Sequence, residues 1–151
     1  MTAHATTTSA LIRNYYDAFN ARDIDTMLTL VADDVIHDIN QGERRTGKSR
    51  FHAFCARMEH HYRETLSGIE IFVSADGTRA AAEFNVSGTY LQTEPGLPPA
   101  NGETYQLPAG TFFAVRDGKI TRITTYYNLT DWIMQVTGGS LGEPGPVATG
   151  A

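Results

Sequence analysis

The sequence predicts an α+β fold in which three helices lie across one face of a curved β-sheet. Apolar residues recur at helical spacing in the first part of the chain, up to about Tyr62. From Leu66 onward the chain consists of four segments rich in Ile, Val, Thr, Phe and Tyr, which is typical of strands. Helices followed by strands favour segregated layers over an alternating α/β arrangement.

The helices are predicted from their apolar stripes and their start signals. Thr8 or Ser9 can cap the first helix. The apolar positions of this helix follow the i, i+3, i+4 rule and are Leu11, Ile12, Tyr15, Tyr16 and Phe19. A second helix is expected after Asp23, a third after Gly47, and a short closing helix near Thr130.

The strands begin with "VIHDI" at residues 35–39, before the third helix. Four further strands are predicted to form a meander over residues 66–74, 79–92, 105–115 and 119–128. Asp76-Gly77 and Asp117-Gly118 stand where two-residue hairpin turns belong. The connection at residues 93–103 is longer, and its Pro and Gly content suits a lid or rim loop.

Length and composition indicate one domain at residues 9–137, with flexible tails at residues 1–8 and 138–151. A net charge of -5 argues against nucleic acid, because the only basic clusters, at residues 43–45 and 48–50, are short and interrupted. The single cysteine, Cys55, cannot form an internal disulfide, which suits a reducing compartment and predicts a cytoplasmic location. No apolar run approaches the length of a membrane span, and no signal-peptide pattern opens the chain, so no membrane partner is expected.

Several stretches together resemble a known superfamily over about residues 9–137. They are "YYDAFNARDIDTMLTLVADDVIHD", "IHDINQG", the helix after Gly47, "LPAGTFF" and "GKITRITTYYNLTDW". This combination resembles the nuclear transport factor two-like superfamily, and within it the SnoaL-like and ketosteroid isomerase-related proteins. The resemblance implies a cone-shaped, strongly curved mixed sheet with three N-terminal helices packed on its concave face. It also implies an apolar pocket at the open end and a homodimer formed through the other face of the sheet.

The catalytic residues of the relatives carry over only in part. The tyrosine of ketosteroid isomerase falls on Tyr15, but its base falls on Ile39, one place after Asp38, and its second acid on Thr111. A β-bulge in the strand could restore Asp38 to the base position. The Asp, Arg, Asp arrangement of limonene epoxide hydrolases falls on Asn85, Glu83 and Thr125, so that chemistry is not supported.

His37 and Asp38 are the first candidates for a catalytic base. Successive strand residues face opposite sides, so one of the two must face inward. An imidazole in an apolar strand can be tuned toward general-base work, whereas the alternative is a core histidine bonded to a backbone carbonyl. Asp38 could instead pair with Arg44 or Arg45. Asn40 fits a turn, or it could offer an amide donor to a substrate oxygen.

Further candidates for ligand contacts lie on the later strands. Glu83 and Asn85 share the polar face of one strand, which is either solvated or, as the resemblance implies, part of the pocket. In the related fold the last strand ends at the pocket mouth. The candidates there are Tyr126 or Tyr127, Asn128 and Trp132. Trp132 could equally clamp the closing helix. His52, His60 and His61 lack metal-ligand spacing, so neither a metal nor another cofactor is expected.

These observations predict a small cofactor-independent enzyme that acts on an apolar carbonyl compound by general acid/base proton transfer. An isomerase, a cyclase or a dehydratase would each fit. His37 or Asp38 would be the base, and Tyr15 or Asn40 would donate to the developing oxyanion. The alternative is a non-catalytic module of the same fold that binds a small molecule or serves dimerisation.

Overall fold

A computed structural model describes residues 3–40 and 42–139 of the chain. Its helices are α1 (Ala3–Asn20), α2 (Ile24–Leu30), α3 (Lys48–His61) and α4 (Leu129–Thr137). Its strands are β1 (Val31–Ile39), β2 (Arg45–Thr46), β3 (Tyr62–Val73), β4 (Arg79–Tyr90), β5 (Thr104–Arg116) and β6 (Lys119–Tyr127). The predicted α+β class, the three N-terminal helices, the meander and the closing helix are confirmed.

The six strands form one mixed, curved and unclosed sheet in the order β2-β1-β6-β5-β4-β3. The pairing of β1 with β6 is parallel, and every other pairing is antiparallel. The register shifts in β3 between Ser67 and Glu70, where Gly68 takes a positive φ of 62°, and between Ala114 and Val115 of β5. Such bulges bend and twist strands, which curves the sheet around the helices.

The core lies between the concave face of the sheet and the N-terminal helices. In β4 the buried positions alternate strictly, so that one face is apolar and the other polar. On α1, Tyr15 and Tyr16 both pack edge-on against Phe113 of β5, with ring centroids 6.0 and 5.9 Å apart. At the other end of the sheet, Trp132 of α4 packs against Tyr90 at 4.9 Å.

The first helix begins at Ala3, six residues before the predicted start of the domain. Ala5 is only 1% exposed, and the Thr8 hydroxyl donates to the Gly77 carbonyl at 2.6 Å. A Cβ on Gly77 would lie 2.7 Å from the backbone of His4, so glycine allows this close approach. Residues 3–8 are therefore packed helix and not a flexible tail. Gly138 and Gly139, the first two residues of the predicted C-terminal tail, close the end of α4, and residues 1–2 and 140–151 lie outside the described residues.

The two predicted hairpin turns differ in the structure. Asp117 and Gly118 form the expected two-residue turn, with φ angles of 52° and 73° between the paired Arg116 and Lys119. Asp76 and Gly77 lie in a longer turn, because Ser74 pairs with Arg79 across it. The Asp76 carboxylate holds this turn by accepting the amide of Thr78 at 3.0 Å. None of the helices in the described parts of the chain is long and apolar enough to cross a membrane.

Candidate functional site

The register of β1 decides which of its two titratable residues faces the concave side. From Ile36 to Ile39 the pairing with β6 is continuous, and the irregularity lies earlier, between Val31 and Ile36. His37 therefore points inward and is 4% exposed. Asp38 points to the outer side, so its placement as a base in the pocket is wrong, and no bulge reverses it.

Asp38 is instead held as a charged structural group. Arg44 donates to both of its carboxylate oxygens at 2.8 and 3.0 Å, and the Thr124 hydroxyl donates at 2.9 Å. The hydrogen bonds from Arg44 lower the pKa of the Asp38 carboxyl, although partial burial opposes them. Asp38 therefore ties β1 to β6 and to the segment that carries Arg44.

A cavity of about 370 Å³ lies between the N-terminal helices and the concave face of the sheet. This volume is within the range of small-molecule sites. Side chains from α1, α2, α3, α4 and all six strands except β2 contribute mainly apolar surface, and β2 contributes Arg45. Charged and polar side chains interrupt this surface, among them His37, Arg45, Glu64 and Glu94, and such groups would orient a bound ligand.

His37 is one of these polar positions. Its imidazole meets the rings of Phe51 and Phe54 edge-on, with centroids 5.2 and 4.5 Å apart. Its Nδ1 is buried and has no hydrogen-bond partner among the described residues. Burial and, to a smaller extent, the nearby charge of Arg45 lower the pKa of His37 from 6.5 to about 4, although Asp38 opposes the change. The ring is therefore neutral at pH 7, and its Nδ1 is available to a ligand.

Arg45 lies beside His37 on the same face of the sheet. The two residues are direct partners in the antiparallel pairing of β1 with β2, so their side chains are neighbours. The Arg45 guanidinium lies 5.0 Å from the centroid of Phe54 and lines the cavity. Arg57 also approaches Phe54, at 5.8 Å, and forms an ion pair with Glu94 at 3.5 Å.

Glu64, Gly88 and Tyr105 form a row of register partners across β3, β4 and β5. The Tyr105 hydroxyl reaches over Gly88 and donates to the Glu64 carboxyl at 2.5 Å. A Cβ on Gly88 would overlap the Tyr105 ring, so only glycine at this position lets the Tyr105 side chain reach Glu64. Burial in the cavity wall raises the pKa of Glu64, although the hydrogen bond from Tyr105 opposes the rise.

Tyr15 and Tyr16 of α1 both line the cavity. Burial raises the pKa of both phenols, so both are neutral donors at pH 7. The Thr111 hydroxyl partly opposes the rise at Tyr16, yet no hydrogen bond of good geometry from the described chain reaches its buried hydroxyl oxygen. Tyr16 is therefore a further donor that the resemblance did not indicate.

The model of the SnoaL-like domain family matches residues 12–123. The chain belongs to the SnoaL-like domain family.

Solved structures agree with this membership. A candidate polyketide cyclase from Xanthomonas campestris pv. campestris is 50% identical, with 89% of this chain and 99% of that one covered and a TM-score of 0.86. Another candidate polyketide cyclase, from Pseudomonas putida KT2440, is 56% identical, with 85% and 97% covered and a TM-score of 0.85. A nuclear transport factor two-like protein from Burkholderia pseudomallei K96243 shares the fold at 19% identity, with 87% and 98% covered and a TM-score of 0.74. No curated protein matches the chain significantly.

Two predicted ligand contacts of this SnoaL-like chain are structural caps. Asn40 has a positive φ of 46°, and its side-chain oxygen accepts the backbone amide of Tyr127 at 2.8 Å. Asn128 caps α4 by accepting the amide of Asp131 at 3.1 Å. Neither asparagine lines the cavity, so the interpretation of both as ligand contacts is wrong.

Three further candidates point away from the SnoaL-like cavity. Glu83 and Asn85 occupy exposed positions of β4, between the buried Ala82, Phe84 and Val86. Tyr126 is 51% exposed, and its neighbour Tyr127 lines the cavity instead. The placement of Glu83, Asn85 and Tyr126 in the pocket is therefore wrong, because the alternation of the strands puts them on the outer face.

Trp132 lines the cavity as expected and also clamps α4. It is buried, and its indole packs against Tyr90 at 4.9 Å and Tyr105 at 5.9 Å. A position in the cavity wall and a role in clamping the closing helix are thus compatible for Trp132. Cys55 also lines the cavity, but burial raises the pKa of its thiol to about 12, so it is not a thiolate nucleophile at pH 7.

The connection between β4 and β5 contributes Glu94 to the cavity wall. The Glu94 carboxylate accepts the Tyr62 hydroxyl at 3.0 Å. The Tyr90 hydroxyl makes two hydrogen bonds to the same connection. It donates to the Pro98 carbonyl at 2.6 Å and accepts from the Glu94 backbone amide at 3.0 Å. Among residues 3–40 and 42–139, no group of three or more His, Cys, Asp or Glu side chains is arranged to hold a metal.

Proposed function

We propose that this SnoaL-like protein is a small cofactor-independent enzyme that moves a proton at a carbon next to the carbonyl of an apolar compound. The observation that carries this proposal is the neutral imidazole of His37 in a mainly apolar cavity wall, with a buried Nδ1 that has no hydrogen-bond partner among the described residues. The polyketide cyclase names of two relatives with 50% and 56% identity support chemistry of this kind. Isomerisation, cyclisation and dehydration all begin with such a proton transfer.

In the proposed reaction His37 removes a proton from the carbon beside the carbonyl. The electron pair of that C–H bond moves into an enolate, and the Tyr16 hydroxyl, or Tyr15 beside it, donates a hydrogen bond to the enolate oxygen. The imidazolium then returns the proton to the ligand at the same or another carbon, which regenerates neutral His37. Glu64, which keeps its proton to a higher pH than an exposed glutamate, is a second proton donor in the same wall.

The second candidate function is a binding module without catalysis. It is favoured by the surroundings of His37, because a pKa of about 4 makes a weak base. A catalytic histidine is also commonly oriented by a carboxylate on its second nitrogen. Asp38, the neighbouring carboxylate, points to the other face and bonds to Arg44.

Hydrogen–deuterium exchange separates the two functions without knowledge of the natural substrate. A panel of cyclic and aromatic ketones is incubated with the protein in deuterated buffer, and exchange at the carbon beside the carbonyl is followed by NMR. The enzyme is expected to accelerate exchange of at least one ketone, and His37→Gln is expected to lower that rate by at least about a hundredfold.

The matched control is His52→Gln, which makes the same substitution at an exposed position of α3. Its exchange rate should equal that of the wild type. Ketones that bind without any accelerated exchange would favour the binding module, and equal rates for the two variants would remove His37 from the reaction.

We also propose that the protein is a cytoplasmic homodimer that pairs through the outer face of the sheet. Phe72, Ala81 and Phe112 are register partners in one row of that face, and the two phenylalanines are 55% and 47% exposed. The dimer should bury more than about 1,000 Å² in total. Sedimentation at micromolar concentration should show a dimer, and Phe112→Lys should shift it to the monomer. A monomeric wild type under these conditions would contradict the proposal.

A further inference from the structure

Arg45 is a cation in the cavity wall without an anionic partner in the described chain. It lies opposite His37 in the β1–β2 pairing, and its guanidinium packs over the Phe54 ring. No hydrogen bond or ion pair joins that guanidinium to any of the described residues, whereas the preceding Arg44 binds Asp38 through two nitrogens. A partly buried guanidinium loses hydration and normally recovers it through an acceptor.

The charges around Arg45 balance one another and leave its own positive charge uncompensated. Arg57 and Arg50 are the like charges near Arg45, and Glu43 and Glu94 are the opposite ones. Glu94 already pairs with Arg57 and accepts the Tyr62 hydroxyl. Counted together with Arg45 itself, three guanidinium groups face two carboxylates, so this group carries one positive charge in excess in a chain whose net charge is -5. Such a local excess attracts an anionic ligand.

His37 supplies the second observation at the same place. It is 4% exposed, it lines the cavity, and its Nδ1 lacks a partner in the described parts of the chain. Both His37 and Arg45 contact the Phe54 ring, so their polar atoms reach the cavity from one side. The remaining wall is mostly apolar. One end of a ligand would thus meet hydrogen-bond donors, and its body would meet hydrocarbon.

We infer that the cavity accepts an apolar ring compound that carries a carboxylate, with the carboxylate held by Arg45 beside His37. A planar guanidinium binds a carboxylate through two parallel hydrogen bonds, which fixes the orientation of the ligand as well as its affinity. The inference rests on the proposed function because it concerns the same cavity. It narrows the substrate class to compounds in which the carbonyl is accompanied by an acid group.

The test compares indane-2-carboxylate with its neutral isostere indane-2-carboxamide at pH 7. Calorimetry gives the affinities, and quenching of Trp132, the single tryptophan and a cavity residue, reports occupancy of the cavity. The wild type is expected to bind the carboxylate at least about tenfold more tightly than the amide. Arg45→Met should remove this preference by weakening the carboxylate and leaving the amide unchanged.

The matched control is Arg44→Met, because Arg44 is one residue away but bonds to Asp38 and does not line the cavity. This variant should keep the tenfold preference. The comparison of the two ligands on the wild type needs no variant, so the inference stays testable even if Arg45→Met fails to fold. Equal affinities for the two ligands, or no binding of either at millimolar concentration, would overturn it.

The two proposals fail in different ways. A preserved carboxylate preference without accelerated exchange of any ketone would reject the enzyme and keep the Arg45 site. Accelerated exchange that requires His37, together with equal binding of acid and amide, would keep the enzyme and reject the Arg45 site.

Discussion

Acidification from pH 6.5 to pH 4 is expected to destabilise the wild type by about 3 kcal/mol more than it destabilises a variant with leucine in place of His37. The pKa of His37 is lowered from 6.5 to about 4, and each pKa unit corresponds to about 1.36 kcal/mol. Above pH 6.5 the histidine is neutral in both states, so it adds no pH dependence. Between the two values the unfolded chain binds a proton that the folded chain does not, which favours unfolding as the pH falls.

Urea unfolding at pH 7 and pH 4.5 measures this effect. The leucine variant should lose less stability than the wild type on acidification, because it has no imidazole to protonate in the unfolded state. His52→Leu, at an exposed position of α3, is the matched control and should follow the wild type. If the His37 variant and the wild type lost equal stability, the imidazole would not be held neutral by the cavity.

Replacing Gly88 with alanine is expected to destabilise the protein by about 2 to 3 kcal/mol. The added Cβ would overlap the Tyr105 ring, which must swing away and give up its hydrogen bond to Glu64. Leaving a buried carboxyl without its hydrogen-bond donor lowers the free energy of unfolding by an amount of this size. Because the bond from Tyr105 lowers the pKa of Glu64, that pKa should rise further in the variant.

Urea unfolding and NMR titration of the Glu64 carboxyl check the two parts of this expectation. Gly110→Ala is the control, since its Cβ would meet nothing closer than the Ala82 carbonyl at 3.6 Å, an ordinary contact. The control should lie within about 0.5 kcal/mol of the wild type. A Gly88 variant that is as stable as the wild type and still has Tyr105 bonded to Glu64 would show that these side chains are not tightly packed around position 88.

Much of the fold could be predicted because its signals are local. The stripe of α1, the alternation in β4 and the Asp117-Gly118 turn each depend on neighbouring residues, and each is confirmed. The alternation in β4 left an outer, solvated position open for Glu83 and Asn85, and this is where the strand places them. The resemblance to catalytic positions of relatives pointed the other way and was wrong for both residues.

The site was less predictable because it depends on pairing between distant strands. The inward direction of His37 follows from the register with β6, which no local pattern reveals. Arg45 belongs to a two-residue strand that is too short to show alternation. Glu64 was missed because β3 follows α3 without a loop and begins at Tyr62, four residues before the expected start. The alternation of Tyr62, Glu64 and Leu66 is the signal that could have placed Glu64 inside.

The parallel pairing of β1 with β6 also bears on the order in which the molecule assembles. The bond from Thr124 to Asp38 spans 86 residues, whereas the β3–β4 and β5–β6 hairpins close over short loops. Contacts of such long sequence separation form slowly, since the chain must lose much of its freedom before they add stability. During synthesis, β1 leaves the ribosome long before β6 exists. His37 therefore receives its enclosing wall only when the last strand of the sheet has been made, and the cavity is among the final parts of the protein to form.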